Sequence, residues 1–517
     1  MAVLTKNRSR LLLGAGPMAL AISLMLAPER ARAQAIQATE QFVVGGGVRD
    51  LTAPGEETIL LDQATTVIDW TPNTDASGNV LTFLPDGNVV TFEGTLGVPE
   101  FGVLNRILPT ANGDVVMIDG SVISQYFDAD ANAFATGGTI AFYSPTGILV
   151  GGTATFDVGS LILTALEPSV TSFTDFTENG GTLELGDPTG NATASVIISA
   201  GAQINAPIDD SVFIAAAPEV QMLGQSRVNG SQAFIGGNFA RVTVTNGLFD
   251  IQIPVGTDVT TPIVVDGDVG GPASSALGDN HIIYAVARAL SDPISMIFRG
   301  NLGFDPAVSA GVVNGEIILS ANYDVEGRTV QDGTTTDGIN AVFSRPEDEF
   351  APPPAGSVFL EDFNASSSVL AIANEEVQVT ARTTDSSVDG NLLMVGRNFS
   401  ELTATAGNSF AITGDVLVSA RAFGVQSSSL PDPTVINAEG GEAFIDAFNG
   451  GSITILGDAL VTADAFGGLE DVDADFGSAT GGRALVGSTG GTLDIAGNVN
   501  VSANAIGLDG GFGETGA

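Results

Sequence analysis

From residue 34 onward the chain alternates apolar with small or polar residues in short runs. Examples are Thr139-Ile140-Ala141-Phe142-Tyr143, Val242-Thr243-Val244, Glu316-Ile317-Ile318-Leu319 and Val377-Gln378-Val379. Gly, Asn, Asp and Pro fill the gaps between them. A period of two bounded by turn residues predicts short β-strands. Pro85-Asp86-Gly87-Asn88, between the apolar runs 81–84 and 89–92, has the chemistry of a hairpin turn. Helical candidates are few. One is YAVARAL at 284–290, which reads equally as a strand followed by a turn.

The last third repeats itself. SFAITGDVLVSARAFG (409–424), SITILGDALVTADAFG (452–467) and TLDIAGNVNVSANAIG (492–507) share two strands broken by Gly-Asp or Gly-Asn. The marker glycines are Gly414, Gly457 and Gly497, and residues 370–382 read as a fourth, eroded copy. Repeats of this length indicate a solenoid, a propeller or an array. A propeller blade usually keeps an aromatic or Trp-Asp signature, and the single Trp, Trp70, lies outside the repeats. The pattern therefore predicts an all-β chain, a right-handed parallel β-helix (solenoid). Gly, Asn and Asp at its corners would supply positive φ. Each repeat would form two coils of roughly 20 residues, with a three-residue insertion in a loop.

Composition narrows the function. The 517 residues include 66 Gly, nearly twice the usual share of about 7%. Charged residues are 15% and hydrophobic ones 44%, enough apolar surface for a core. Acidic residues number 60 and basic ones 17, a net charge of −43. Such a chain repels phosphates, so no nucleic-acid partner is expected. It has no Cys and one His, which removes thiol catalysis, iron–sulfur clusters and multi-His metal sites.

Residues 1–33 carry Lys6, Arg8 and Arg10, an apolar stretch at 11–27, and Ala31-Arg32-Ala33 before Gln34. This is the layout of a secretory signal peptide cleaved between Ala33 and Gln34. No later stretch is long and apolar enough to span a bilayer as a helix, so stable membrane insertion of the mature chain is not expected.

One region resembles a known family. Asn105-Arg106-Ile107 is followed by Gly120, by GTIAFYSPTGILVG (138–151) and by ATFDVGSLILTAL (154–166). These segments resemble the haemagglutination-activity region, or two-partner-secretion domain, of filamentous-haemagglutinin-like exoproteins. Where that family has Asn-Pro-Asn-Gly-Ile, this chain has Ser144-Pro145-Thr146-Gly147-Ile148. Asp157, Val158, Gly159, Leu161 and Leu166 match the later segment, whereas Leu163 and Thr164 stand where Ala-Ser is typical. The family's Asn-Pro-Asn-Leu motif is missing. The clear match covers about 60 residues, and a looser one runs over 36–345. The resemblance implies an amino-terminal capping and secretion domain and passage through an outer-membrane two-partner-secretion transporter. It also implies folding outside the cell as a β-helical rod that adheres to an unidentified host or cell-surface receptor.

The expected organisation is a signal peptide (1–33), a secretion domain (34–170), β-helix continuation (171–345) and a repeat-bearing shaft (346–517). The proline-rich stretch 346–354 would be an extruded loop or boundary. The chain stops without a polar cap, as the front part of a longer protein would. No enzyme activity and no cofactor are expected, because the 12 Arg beyond the leader are scattered singly. Two alternatives stay open. A β-helical carbohydrate-active enzyme would gather acids and Arg on one lateral groove, and an autotransporter passenger would be followed by a barrel. Asp128-x-Asp130-x-Asn132 and Asp471-x-Asp473-x-Asp475 lack the Gly and Glu of an EF-hand and read as solvated loops. His281 reads as a turn or capping residue. Trp70 and Tyr126 read as core or cap packing rather than exposed platforms.

Overall fold

The computed structural model describes residues 34–95, 100–109, 114–189, 193–276, 279–290, 294–307, 314–331, 356–423, 438–467, 479–507 and 513–514. The expected leader and the proline-rich stretch 346–354 lie outside these residues, as does the acidic loop 471–475.

The strands form three parallel ladders, called X, Y and Z. One coil of the chain visits X, then Y, then Z, before stepping up. X includes Thr65–Pro72, Gly102–Ile107, Thr139–Tyr143 and Ser160–Thr164, and continues to Val499–Ser502. Y runs from Val116–Ile118 through Ile148–Val150 to Arg483–Thr489. Z runs from Glu56–Leu61 through Val89–Gly94 to Thr492–Ile495. The fold is thus the expected parallel β-helix. Inward residues alternate along each strand and stack: within one coil Ile140, Phe142, Ile148, Val150 and Phe156 are all buried in a single continuous core. Trp70 joins that core, and Tyr126 packs half-buried against it.

X differs from the other ladders because its outward face is apolar too. Ala141, Ile162, Ile214, Tyr284 and Ile318 form a second core cluster. It is covered by chain that leaves the coils between X and Y. One excursion carries helix α1 (Val170–Asn179), capped by Ser169 and ended by Gly180 at φ 67, with Phe173 buried. The others contribute an antiparallel sheet built on Phe239–Thr245 and Leu248–Val255. An X strand buried on both faces reads as a continuous apolar run. That is why residues 284–290 resembled a helix: the structure makes Ile282–Ala287 a strand, buried throughout.

Three other expectations are corrected. Pro85-Asp86-Gly87-Asn88 does form a turn, with Asn88 N–H donating to Pro85 O at 3.1 Å. It is a corner between parallel ladders, since Leu84 bridges Ile118 in parallel and Val89–Gly94 pairs in parallel with its neighbours. Each long repeat is one coil rather than two, because Ser409 pairs with Ser452 and Ser452 with Thr492 in adjacent strands. The added length is chain inserted between X and Y, and the later repeat is shorter in part because Gly490-Gly491 stands at the corner filled by Asn449-Gly450-Gly451 in the coil below. The copy below the first repeat is 386–396, not 370–382. Gly390-Asn391 lies under Gly414-Asp415, and Gly414 N–H donates to Gly390 O at 2.9 Å. Residues 370–382 instead span an X and a Y strand.

The reason for glycine at these corners also differs from expectation. Gly414, Gly457 and Gly497 are absent from the positive-φ set. They stack backbone to backbone, with Gly457 N–H on Gly414 O and Gly497 N–H on Gly457 O, both at 3.1 Å. A Cβ on Gly457 would lie 2.5 Å from Gly414 O. The next residues form a polar ladder: Asp415 N–H donates to Asn391 Oδ1 at 2.9 Å, Asp458 N–H to Asp415 Oδ1 at 2.8 Å, and Asn498 N–H to Asp458 Oδ1 at 2.7 Å. Side-chain acceptors there satisfy N–H groups that no strand pairing reaches.

Candidate functional site

The motif residues sit in the first coils, above an amino-terminal cap. Ala38–Val44 lies antiparallel on Thr65–Pro72, and Gly47–Ala53 antiparallel on Glu56–Leu61. This closes the strand edges that an open solenoid end would expose. Arg49 pins the cap from beneath. Its guanidinium donates to Glu40 Oε2 (2.6 Å), Glu57 Oε2 (3.0 Å), Ile36 O (2.7 Å) and Ala38 O (2.9 Å), and lies 5.3 Å from the Trp70 ring centre. Burial raises the Glu57 carboxyl above its usual range, and Arg49 opposes that shift.

Asn105 points inward and is fully buried. It accepts from Trp70 Nε1 at 2.9 Å and donates to Ala141 O at 3.2 Å, so its amide ties three successive coils. Arg106 points outward. It donates to both Asp69 oxygens (2.7 and 2.9 Å) and reaches Glu167 at 3.4 Å. These hydrogen bonds raise its pKa further. Beside it, burial and the Glu167 charge push the Tyr143 hydroxyl up to about 12.

Ser144-Pro145-Thr146-Gly147 turns the corner from X to Y. Gly147 N–H donates to Ser144 O at 3.1 Å, with Pro second and Gly fourth in the turn. Ser144 Oγ and Thr146 Oγ1 are 3.0 Å apart, and Thr146 Oγ1 donates to Asp114 O at 2.8 Å. The hydroxyls thus take the local bonding role that asparagine amides have in such turns. Gly147 has φ 96, and a Cβ there would meet Ser195 O at 2.7 Å. Ile148 then opens a Y strand, fully buried.

Asp157, Val158 and Gly159 make the corner from Z to X. Asp157 is exposed and accepts from Asn205 Nδ2 at 2.9 Å. Val158 is buried, and its N–H donates to Asn205 O at 3.0 Å. Gly159 N–H donates to Ser124 Oγ at 3.0 Å, and a Cβ on it would lie 2.5 Å from Gly138 O. Leu161 is buried in X. The motif residues therefore occupy separate corners and ladders of adjoining coils and do not converge on one pocket. Ala33 lies outside the described residues. Gln34 is inside them, its carbonyl accepting from Gln37 Nε2 at 2.7 Å.

Two further places bear on chemistry. Asp128 caps its own turn, accepting from the N–H groups of Asp130 (2.8 Å) and Ala131 (3.1 Å). On Z, a groove of about 260 Å³ is lined by Arg227, Asp268, Gly270, Asn301, Gly303 and Asp305. Its carboxylates are engaged: Asp268 accepts from Gln225 (2.9 Å) and Asn301 (2.6 Å), and Asp305 pairs with Arg227. Among the described residues no helix is long and apolar enough to cross a membrane.

These features define a capped parallel β-helix. By sequence the chain matches no protein-family model and no curated protein. Among solved structures it is similar to the HMW1 secretion domain from Haemophilus influenzae, at 11% identity and a TM-score of 0.39, over 88% of this chain and 99% of that one.

Proposed function

We propose that this chain is an exported exoprotein. Its amino-terminal coils are the segment that an outer-membrane two-partner-secretion transporter recognises, and its coil stack is a contact rod in adhesion. The observation that supports this reading most directly is the role of the motif residues. Ser144–Ile148 and Asp157–Leu161 form or flank corners of the early coils that follow a dedicated cap, where the resemblance puts its secretion signals. Two physical features agree. A chain without Cys forms no disulfide that would block a narrow pore. A solenoid folds by local contacts, so each coil can dock on the last as it emerges.

The test is export of the full chain, leader included, from a Gram-negative host with and without a co-expressed two-partner-secretion transporter. Protein in the medium only when the transporter is present, and its loss on Arg106→Ala or Thr146→Val, is the expected result. Transporter-independent release, or variants exported like the parent, overturns the reading. Export undiminished by paired cysteines bridging two coils under oxidising conditions would count against passage of an unfolded chain.

A further inference from the structure

The only histidine of the chain is not the turn or capping residue its local sequence suggests. His281 is fully buried against Phe304, ring centres 5.6 Å apart. Its Nδ1 lies 2.8 Å from Pro272 O. A carbonyl only accepts, so Nδ1 carries the proton and a neutral ring presents a lone pair at Nε2. That Nε2 has no hydrogen-bond partner. It lies 3.3 Å from Asp279 Oδ2, another acceptor, and Asp279 Oδ1 is also buried without a partner. A third ligand atom comes from the exposed Asp209, and the three lie within 4.8 Å of one another.

Coil stacking creates this meeting. In the strand that carries Asp209, the in-register pairs Ala206–Val228 and Ser211–Gly230 leave four residues, 207–210, opposite the single Asn229. The bulge is extruded, with Asp210 at φ 62. It reaches past the coil of Asn229 to the loop that leads into Ile282–Ala287 two coils further on. Ser275 ties the two segments, its Oγ donating to Asp209 at 2.9 Å and its N–H to Asp279 at 2.7 Å.

We propose that Asp209, Asp279 and His281 form a divalent transition-metal site that clips this bulge to a loop two coils away. One imidazole nitrogen and two carboxylate oxygens suit Zn²⁺ and its neighbours rather than Ca²⁺ or Mg²⁺, which take oxygen ligands. The Nδ1–H bond to Pro272 O is the outer contact that fixes the tautomer of a metal-binding imidazole.

The single histidine makes the test direct. The full chain, labelled with ¹⁵N only in histidine and stripped of metal, is titrated with Zn²⁺ and separately with Co²⁺. One equivalent of Zn²⁺ should shift the Nε2 resonance strongly and leave Nδ1 protonated, and Co²⁺ should give the weak visible bands of nitrogen–oxygen coordination. Asp209→Asn alters only an exposed ligand and leaves His281 in place, and His281→Gln removes the nitrogen. Each should weaken binding at least about tenfold, while Asp157→Asn, elsewhere on the coils, should not. Parent-like binding by Asp209→Asn overturns the proposal. So does an imidazolium paired with Asp279 that saturating Zn²⁺ leaves unchanged.

Discussion

Replacing Phe142 by Ala removes the ring around which the first coils pack. Phe142 is 1% exposed and meets Phe83, Phe92 and Phe156 edge to face, with centres 6.5, 6.3 and 6.3 Å apart. Phe83 in turn touches Trp70 at 5.7 Å. A buried Phe→Ala change costs about 3–5 kcal/mol, and the rigid stack of coils above and below keeps this cavity from collapsing, which favours the upper half. Phe142→Leu keeps most of the volume and loses the ring-edge contacts, worth about 0.5–1.5 kcal/mol each. Trp70 is the sole Trp, so its fluorescence in a urea titration reports this region alone. At a slope of about 2 kcal/mol/M, the Ala variant should lower the Trp70 midpoint by about 2–2.5 M. Ile453→Ala, in a distant coil and equally buried, should leave that midpoint in place, because coils couple mainly to their neighbours. An Ala variant within about 0.5 M of the parent, or an Ile453→Ala variant shifting Trp70 as strongly, would refute the reasoning.

Other expectations concern the cap, the corners and the acidic face. Arg49→Met strands the buried Glu57 charge and should cost about 3–5 kcal/mol in the Trp70 transition, with Glu57→Gln added on top recovering part of the loss. Gly159→Ala forces a Cβ to 2.5 Å from Gly138 O and should lower the melting temperature more than Gly487→Ala, whose added Cβ meets nothing closer than Leu485 Cγ at 3.9 Å. On Y, burial and then the charges of Asp446, Glu376 and Glu442 raise the Glu401 carboxyl. The unfolded chain loses this proton first as pH rises, so the folded shaft loses stability from the usual carboxylate range up to the raised value. Glu401→Gln should therefore be more stable than the parent at pH 7, with the advantage vanishing near pH 4 in thermal melts. An advantage that persists at pH 4 would contradict the assignment.

Much of this architecture was legible in the sequence because it is local. Glu376–Ala381 alternates with period two and is buried at every second residue, and the Gly-Asp or Gly-Asn pairs recur where coils must stack. What the sequence concealed depends on chain brought from afar. The insertion between X and Y lengthens a coil to the size of two, which is why one repeat read as a pair. Helix α1 has a Thr-rich sequence with little helical preference of its own. Its caps and the docking of Phe173 on the outer face of X hold it. The glycines at 414, 457 and 497 were correctly singled out, but their need is close approach rather than left-handed backbone. Residues 144–148 were legible only as a motif, and it is the coil geometry that makes them a corner closed by the Ser144 and Thr146 hydroxyls. The neighbours of His281 were not, since residues 209 and 279 meet only when coils stack.

The most direct test of the coil assignment is disulfide closure in this cysteine-free chain. Ser409 and Ser452 lie in register on adjacent Z strands, whereas Ser409 and Thr492 are two strands apart. Adjacent strands are about 4.8 Å apart, inside the range a disulfide bridges, and two steps of about 9.6 Å are outside it. Ser409→Cys with Ser452→Cys should close readily on mild oxidation of the native protein, and Ser409→Cys with Thr492→Cys should stay open. Equal closure of both pairs, or of neither, would contradict one coil per repeat.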